Sequence, residues 1–402
     1  MRRRGTAINL TNKAVSRRTM LAGAAAFTFA SWLEGCRASV PPHHAPAMDI
    51  GGSNSLRYHA AAQQLLFGCA VNAKALREDA AYAHLIRQQC SILVPENCLK
   101  WKAVEPEQGR FRFEDADAVV AFAEKNKIKM RGHTLVWHEA LPDWVERGLT
   151  PTDARAWMTA HIQNVAGRYS GRMHSWDVVN EAIAPRDGRP DGLRDSVWLR
   201  TLGPEYIEIA LRAARAADPA ALLTYNDWGL DDEAAESEER RRAVLTLMRR
   251  LRQRNVPIDA VGIQGHLYVP NQRGYGAGLR RFLAALRELD LQVFVTEMDV
   301  DDSRALTDEA ARDAAVAQEI GAFLDTALPD PAVRAVLTWG LTTHYTWLKE
   351  RYKNPATRGL PFDDTLQPTG GFAAIRDAFD RRKILAAKPQ QVAPLTPIRK
   401  WR

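Results

Sequence analysis

From about residue 60 the chain repeats one pattern: a short apolar run, a polar turn, then an amphipathic stretch of helical period. The predicted strands are Leu66–Val71, Ser91–Pro95, Lys129–Leu135, Ser175–Val179, Leu222–Asn226, Ala260–Gln264, Gln292–Thr296 and Ala335–Trp339. Helical stretches lie between them, among them Ala118–Asn126, Pro151–Tyr169, Tyr206–Ala217, Glu236–Gln253, Leu279–Leu289 and Glu309–Ala327. Strands that alternate with helices must run parallel, and eight of them suit a sheet closed into a (β/α)8 TIM barrel, one α/β domain. An open doubly wound sheet is the alternative, but no Gly-rich phosphate turn follows the first run.

The polar residues favour closure. Glu96, Asn97 and Lys100 follow the second run, and His133, Trp137 and His138 end the third. Asn180 and Glu181 follow the fourth, Asn226 and Asp227 the fifth, Gln264 and His266 the sixth, Glu297 and Asp299 the seventh, and Trp339 the eighth. In a barrel these ends converge on one mouth; in an open sheet they would be strung along an edge.

The ends of the chain differ from its body. The formal charge of +7 divides into +6 over residues 1–47, +7 over 381–402 and −6 over the remainder. A nucleic-acid surface on the body is therefore not expected. Ser16-Arg17-Arg18-Thr19-Met20-Leu21, followed by the apolar run Met20–Leu33, reads as a twin-arginine-like export signal over 1–37. A buried N-terminal helix is the other reading of that run. Cys36 ends Leu33-Glu34-Gly35-Cys36, an imperfect lipid-attachment sequence with Glu34 against it. Residues 38–57 read as a flexible tether, 58–382 as the barrel and 383–402 as a basic tail. The expected location is periplasmic or extracellular.

Cys69, Cys90 and Cys98 remain in the body. Cys90 and Cys98 flank one strand, about 26 Å apart if extended, and cannot bridge. Cys69 and Cys98 can meet if their strands are neighbours. Structural thiols are the default, since no metal-ligand spacing of cysteines is present.

Several chemistries are missing their motifs: there is no Gly-x-Ser-x-Gly elbow, no His-Glu-x-x-His pair and no Walker loop. What remains is carboxylates set among amides, histidines and tryptophans. Acetal cleavage uses that inventory: one carboxylic acid protonates the leaving oxygen and one carboxylate lies beneath the anomeric carbon. Four of the eleven tryptophans, Trp137, Trp228, Trp339 and Trp347, fall at or near strand ends, where indoles can stack on sugar faces. Glu181 and Glu297 are the prime pair.

The stretches Pro95-Glu96-Asn97-Cys98-Leu99-Lys100-Trp101, Arg131-Gly132-His133-Thr134-Leu135-Val136-Trp137-His138, Trp176-Asp177-Val178-Val179-Asn180-Glu181-Ala182, Gly262-Ile263-Gln264-Gly265-His266 and Thr296-Glu297-Met298-Asp299 occur in that order. With them the chain resembles glycoside hydrolase family 10, the retaining endo-β-1,4-xylanases, from about Leu66 to Ile375. The resemblance implies Glu181 as acid/base and Glu297 as nucleophile. It implies that His266 bonds the nucleophile, that Asp299 orients His266 and that Asn180 contacts the sugar 2-hydroxyl. It puts Glu96, Asn97 and Lys100 in the distal glycone subsite, and His133, Trp137, Gln264, Trp339 and Trp347 around the sugar being cleaved. Xylan and xylo-oligosaccharides are then the partners, acted on by a monomer needing neither metal nor organic cofactor. Three departures stand out. Trp228 replaces a usual Tyr, which should change stacking of the leaving-group sugar. Thr343 stands where Asp is common, and Gln367-Pro368-Thr369-Gly370-Gly371-Phe372 replaces a usual Lys-Pro-Ala-Tyr. Trp176 reads as core.

Overall fold

The apolar runs pair in parallel and close. The computed structural model describes residues 49–305 and 308–385. Strands β1 (Leu66–Val71), β2 (Ile92–Pro95), β3 (Lys129–Val136), β4 (Ser175–Asn180), β5 (Leu222–Asp227) and β6 (Ala260–Ile263) follow one another around a ring. β7 (His266–Tyr268) steps outside it; β8 (Gln292–Asp301) pairs with β6, β9 (Val333–Thr338) with β8, and β9 with β1. An eight-stranded ring has no free edge, and helices between successive strands cover its outside: the (β/α)8 barrel.

Alternation along each strand sorts the side chains between two layers. In β1, Phe67, Cys69 and Val71 face the surrounding helices, while Ala70 points into the barrel with Ile92, Val94, Ala260, Phe294, Ala335 and Leu337. The barrel interior also holds Arg131, ion-paired with Asp177 and bonded to Ser175 Oγ at 3.1 Å. Trp176 is fully buried, its indole N–H donated to Asp218 at 3.0 Å. Gly132 makes room for it, since a Cβ there would fall 2.1 Å from the Trp176 ring. Helix Tyr206–Ala217 shows the covering layer's logic: Tyr206, Ile207, Ala210, Leu211 and Ala214 are buried at the i, i+3/i+4 spacing of one face.

Several sequence expectations need correction. β7 has no counterpart among the predicted strands, and β8 runs five residues beyond the predicted end at Thr296. The helix expected from Pro151 starts at Ala154. The tether over 38–57 ends sooner and the barrel domain starts before 58: Gly52–Asn54 forms a 3-10 turn, and Leu56 is fully buried with its N–H bonded to Gln89 at 3.0 Å. Cys69 meets Cys90, not Cys98, with sulfurs 3.7 Å apart and all three thiols free. Cys69 lies level with Leu93 in the β1–β2 register, so Cys98 stands beyond the end of β2 and out of reach. The expected export signal, Cys36, most of the tether and the tail beyond Leu385 lie outside the described residues.

Both described ends are fastened at the floor, where the strands begin. Gln89 donates to Ile50 O at 2.8 Å. His59 pairs with Asp380 at 2.7 Å, Phe67 meets Phe379 edge to face, and Arg382 donates to Gln63 O at 2.6 Å. Leu385 N–H bonds Pro329 O at 2.8 Å.

Candidate active site

Glu181 is the first residue past β4 and has φ +55°, the left-handed region that disfavours a side chain by about 1–2 kcal/mol. Its backbone is held from both sides: its N–H donates to Asn226 O at 2.8 Å, and its carbonyl accepts from Arg194 Nε at 2.7 Å. Glu297 lies within β8, where the register to β9 shifts between Val295 and Met298. Such an irregularity re-aims a side chain, and Glu297 lines the same cleft as Glu181 at the mouth.

Two sets of donors hold the two carboxylates. Glu297 Oε2 lies 3.3 Å from His266 Nε2, and its Oε1 accepts from Asn226 Nδ2 at 2.7 Å. His266 Nδ1 is 2.8 Å from Asp299 Oδ1, while Asp299 Oδ2 accepts from the Trp347 indole N–H at 2.7 Å. His133, bonded to Asp177 at 3.0 Å, stands 4.0 Å from Glu297. Around Glu181 the donors are neutral amides: Gln264 Nε2 at 3.0 Å and Asn180 Nδ2 at 3.3 Å, both to Oε1. Asn226 also donates to Asn180 Oδ1 at 2.9 Å, so one amide links the two halves. Its own oxygen is fixed by the Thr296 hydroxyl at 2.7 Å.

The two carboxyls are thereby driven apart in acidity. Burial raises the Glu181 pKa, with the Gln264 hydrogen bond opposing it and the charge of Glu297 adding to it. Burial also pushes Glu297 upward, but the hydrogen bond and charge of His266, the charge of His133 and the Asn226 bond outweigh it and hold Glu297 low. Burial would discharge His266; Asp299 and Glu297 overcome this and keep its pKa well above the ordinary value. The arrangement favours the protonated form of Glu181 and the ionised form of Glu297 over a common space.

That space is a cleft of about 1120 Å³ lined by side chains at the barrel mouth and by others from the loops above. Lys100, His133, Trp137, Asn180, Gln264, His266, Trp228, Trp339 and Trp347 all line it. The Lys100 ammonium stands 5.4 Å from the Trp137 ring and 5.7 Å from the Trp339 ring, and donates to Asn97 at 2.9 Å. Glu96 and Asn97 do not line the cleft; they stand behind Lys100, and burial raises the pKa of Glu96. Trp137 is fixed through its carbonyl, which accepts from the Trp198 indole at 2.8 Å. Thr343 bonds Asp364, which also takes the Lys349 ammonium at 2.6 Å, so a carboxylate is present beside that position from another loop. Three contributors had no role assigned from sequence: Asn226, Arg194 and Arg240. Asn226 carried a signal, as a polar residue closing a strand; the two arginines sit in a loop and a helix and carried none.

A family profile described as "Glycosyl hydrolase family 10" matches residues 55–378. Endo-1,4-beta-xylanase B of Thermotoga neapolitana is 34% identical over 330 residues, covering 79% of this chain and 88% of that protein. Endo-1,4-beta-xylanase 1 of Humicola insolens is 36% identical over 298 residues, 71% of this chain and 65% of that protein. Among solved structures, xylanase 10B from Thermotoga maritima superposes with a TM-score of 0.73 at 35% identity, covering 81% of this chain and 98% of that one. Xylanase 10B from Thermotoga petrophila RKU-1, solved with xylobiose, gives a TM-score of 0.73 at 34% identity, covering 81% and 97%. With a match across nearly the whole barrel and a pair of oppositely tuned carboxyls at its mouth, this chain belongs to glycosyl hydrolase family 10.

Proposed function

We propose that the chain is a retaining endo-β-1,4-xylanase in which Glu181 is the acid/base and Glu297 the nucleophile. The opposite tuning of the two carboxyls is the observation that carries this reading. Glu181 gives its proton to the glycosidic oxygen as Glu297 attacks the anomeric carbon; the C–O bond to the leaving chain breaks and a glycosyl ester forms. Esterification removes the negative charge of Glu297, so Glu181 then ionises more readily and takes a proton from water, which releases the sugar with its configuration kept. Such chemistry expects the carboxyls about 5–5.5 Å apart. His266 and Asp299 keep Glu297 ionised, and Asn180 meets the 2-hydroxyl. Lys100 serves the distal glycone sugar, with Asn97 and Glu96 supporting it from behind, and His133, Trp137, Gln264, Trp339 and Trp347 surround the sugar being cleaved.

Xylan is favoured as substrate by the names of the relatives and by the xylobiose complex of the Thermotoga petrophila protein. Lys100 and Trp339, side by side at the glycone end, are the side chains that would crowd a C5 substituent and so select xylose over glucose. The test compares glucuronoxylan with carboxymethylcellulose and follows the first-formed anomer by NMR. Cleavage of xylan to β-anomeric oligosaccharides is expected; α-anomers, or activity on cellulose alone, would sink the reading. The active species is a monomer without metal or organic cofactor, exported on the N-terminal twin-arginine-like signal. Mass spectrometry of the mature N-terminus distinguishes release near Ala38 from anchoring at Cys36.

A further inference from the structure

Arg240 lies on the helix Ala235–Gln253 and is only 3% exposed, yet it borders the cleft. Its guanidinium carbon is 3.8 Å from the centroid of the Trp228 ring. Its Nη1 donates to Ile183 O at 2.8 Å and stands 3.6 Å from the buried carboxylate of Asp227. Its Nε lies 3.9 Å from Glu236 and has no hydrogen-bond partner. Gly229, at φ +63°, admits the side chain: a Cβ there would come within 3.1 Å of Arg240 Cδ.

As a stabiliser of the fold this is a poor arrangement. A buried arginine with one unsatisfied donor and long ion pairs is matched or bettered by an apolar side chain of similar volume. What the guanidinium does that an apolar group cannot is join three points. Ile183 is two residues past Glu181, Asp227 is the last residue of β5, and Trp228 follows it. One face of the indole is taken by the cation, while Trp228 as a residue stays 38% exposed and lines the cleft that Glu181 shares. The position on the ring matters too. Lys100, Trp137 and Trp339 belong to the β2, β3 and β9 side, and Trp228 to the β5 side across the mouth, so a chain lying over both glutamates meets Trp228 with its other half.

We propose that Arg240 is a positioning residue that clamps Trp228 as a rigid platform for the leaving-group sugar and fixes that platform relative to Glu181. This rests on the cleft working as set out above. A cation over an indole binds more strongly when it is desolvated, as Arg240 is here. A platform ordered in advance spares the substrate the cost of ordering it.

The test uses xylopentaose, whose leaving group is a sugar, and β-xylobiosyl fluoride, whose leaving group is one atom and reaches no platform. Arg240→Met is expected to lower kcat/KM on xylopentaose about tenfold while changing it less than about twofold on the fluoride. Trp228→Ala should produce a similar split, and adding Arg240→Met to it should cost less than about twofold more. Arg240→Lys keeps a cation without the flat stacking group and should recover part of the loss, which also covers a Met variant that folds badly. Equal losses on both substrates, or an undiminished effect of Arg240→Met in the Trp228→Ala background, would overturn the proposal. If the wild-type protein turns over neither substrate, the cleft reading falls first and takes the platform with it.

Discussion

The rims at the ends of β4 and in β8 carry the same side chain in opposite surroundings. Glu297 is buried and Glu181 largely so, and burial alone would raise both pKa values. The donors make the difference. Glu181 receives neutral donors, the Gln264 and Asn180 amides, while Glu297 receives an imidazole kept charged by Asp299 together with the Asn226 amide. Burial that raises both is thus overcome at one place and not at the other, chiefly by one histidine and the carboxylate behind it, with His133 and Asn226 adding to them.

The comparison breaks first at Glu297. Glu297→Ala should lower kcat on every xylo-substrate by on the order of 10⁵-fold with the circular dichroism spectrum unchanged; substantial residual xylan cleavage would remove its assignment. Next in size, Glu181→Ala should slow xylan cleavage by about 10³-fold but an activated aryl xylobioside far less, with added azide restoring turnover of the aryl substrate. Equal slowing of both substrates would count against an acid/base role. A smaller effect sharpens the difference between the donors. In His266→Asn the cation beside Glu297 is gone, protons bind that carboxylate more tightly, and the acidic limb of the kcat/KM profile should move up by roughly one pH unit. An unmoved acidic limb would mean that His266 does not hold Glu297 ionised.

The smallest expected effect concerns stability. The folded-state pKa of Glu181 is raised, so its contribution is fully present below its unfolded value and is lost as pH rises through the folded value. At neutral pH the buried charge is a cost. Glu181→Gln should therefore raise Tm by about 2 °C at pH 7, and the gain should vanish near pH 4. Thermal melts at both pH values check this, and a gain of equal size at both would point to packing rather than charge.

Much of this was legible in the sequence, for physical reasons that also mark where legibility stopped. The barrel was readable because strands buried on both faces must be apolar, and their ends must be polar where they meet at a mouth. Glu181 and Glu297 stood out because each closes such a run. The exact exits did not. β7 spans three residues, too short for any period to show, and the register shift that turns Glu297 into the cleft is a relation between strands, invisible in either one alone. Asn226 was visible as a strand-end amide, but its bond to Glu297 depends on β5 and β8 both flanking β6. Arg240 could not be found at all from a helix rich in arginine, because what distinguishes it is the indole it touches. The contact of Cys69 with Cys90 likewise depended on how far β2 runs before Cys98.

The clasp at the barrel floor has a practical reading. Asp49 and Leu385 both sit on the side from which the strands start, the face opposite the cleft. A label or surface linkage made at Asp49 or Leu385 itself therefore joins the barrel on the face away from its open side, and leaves the approach of an insoluble fibre clear.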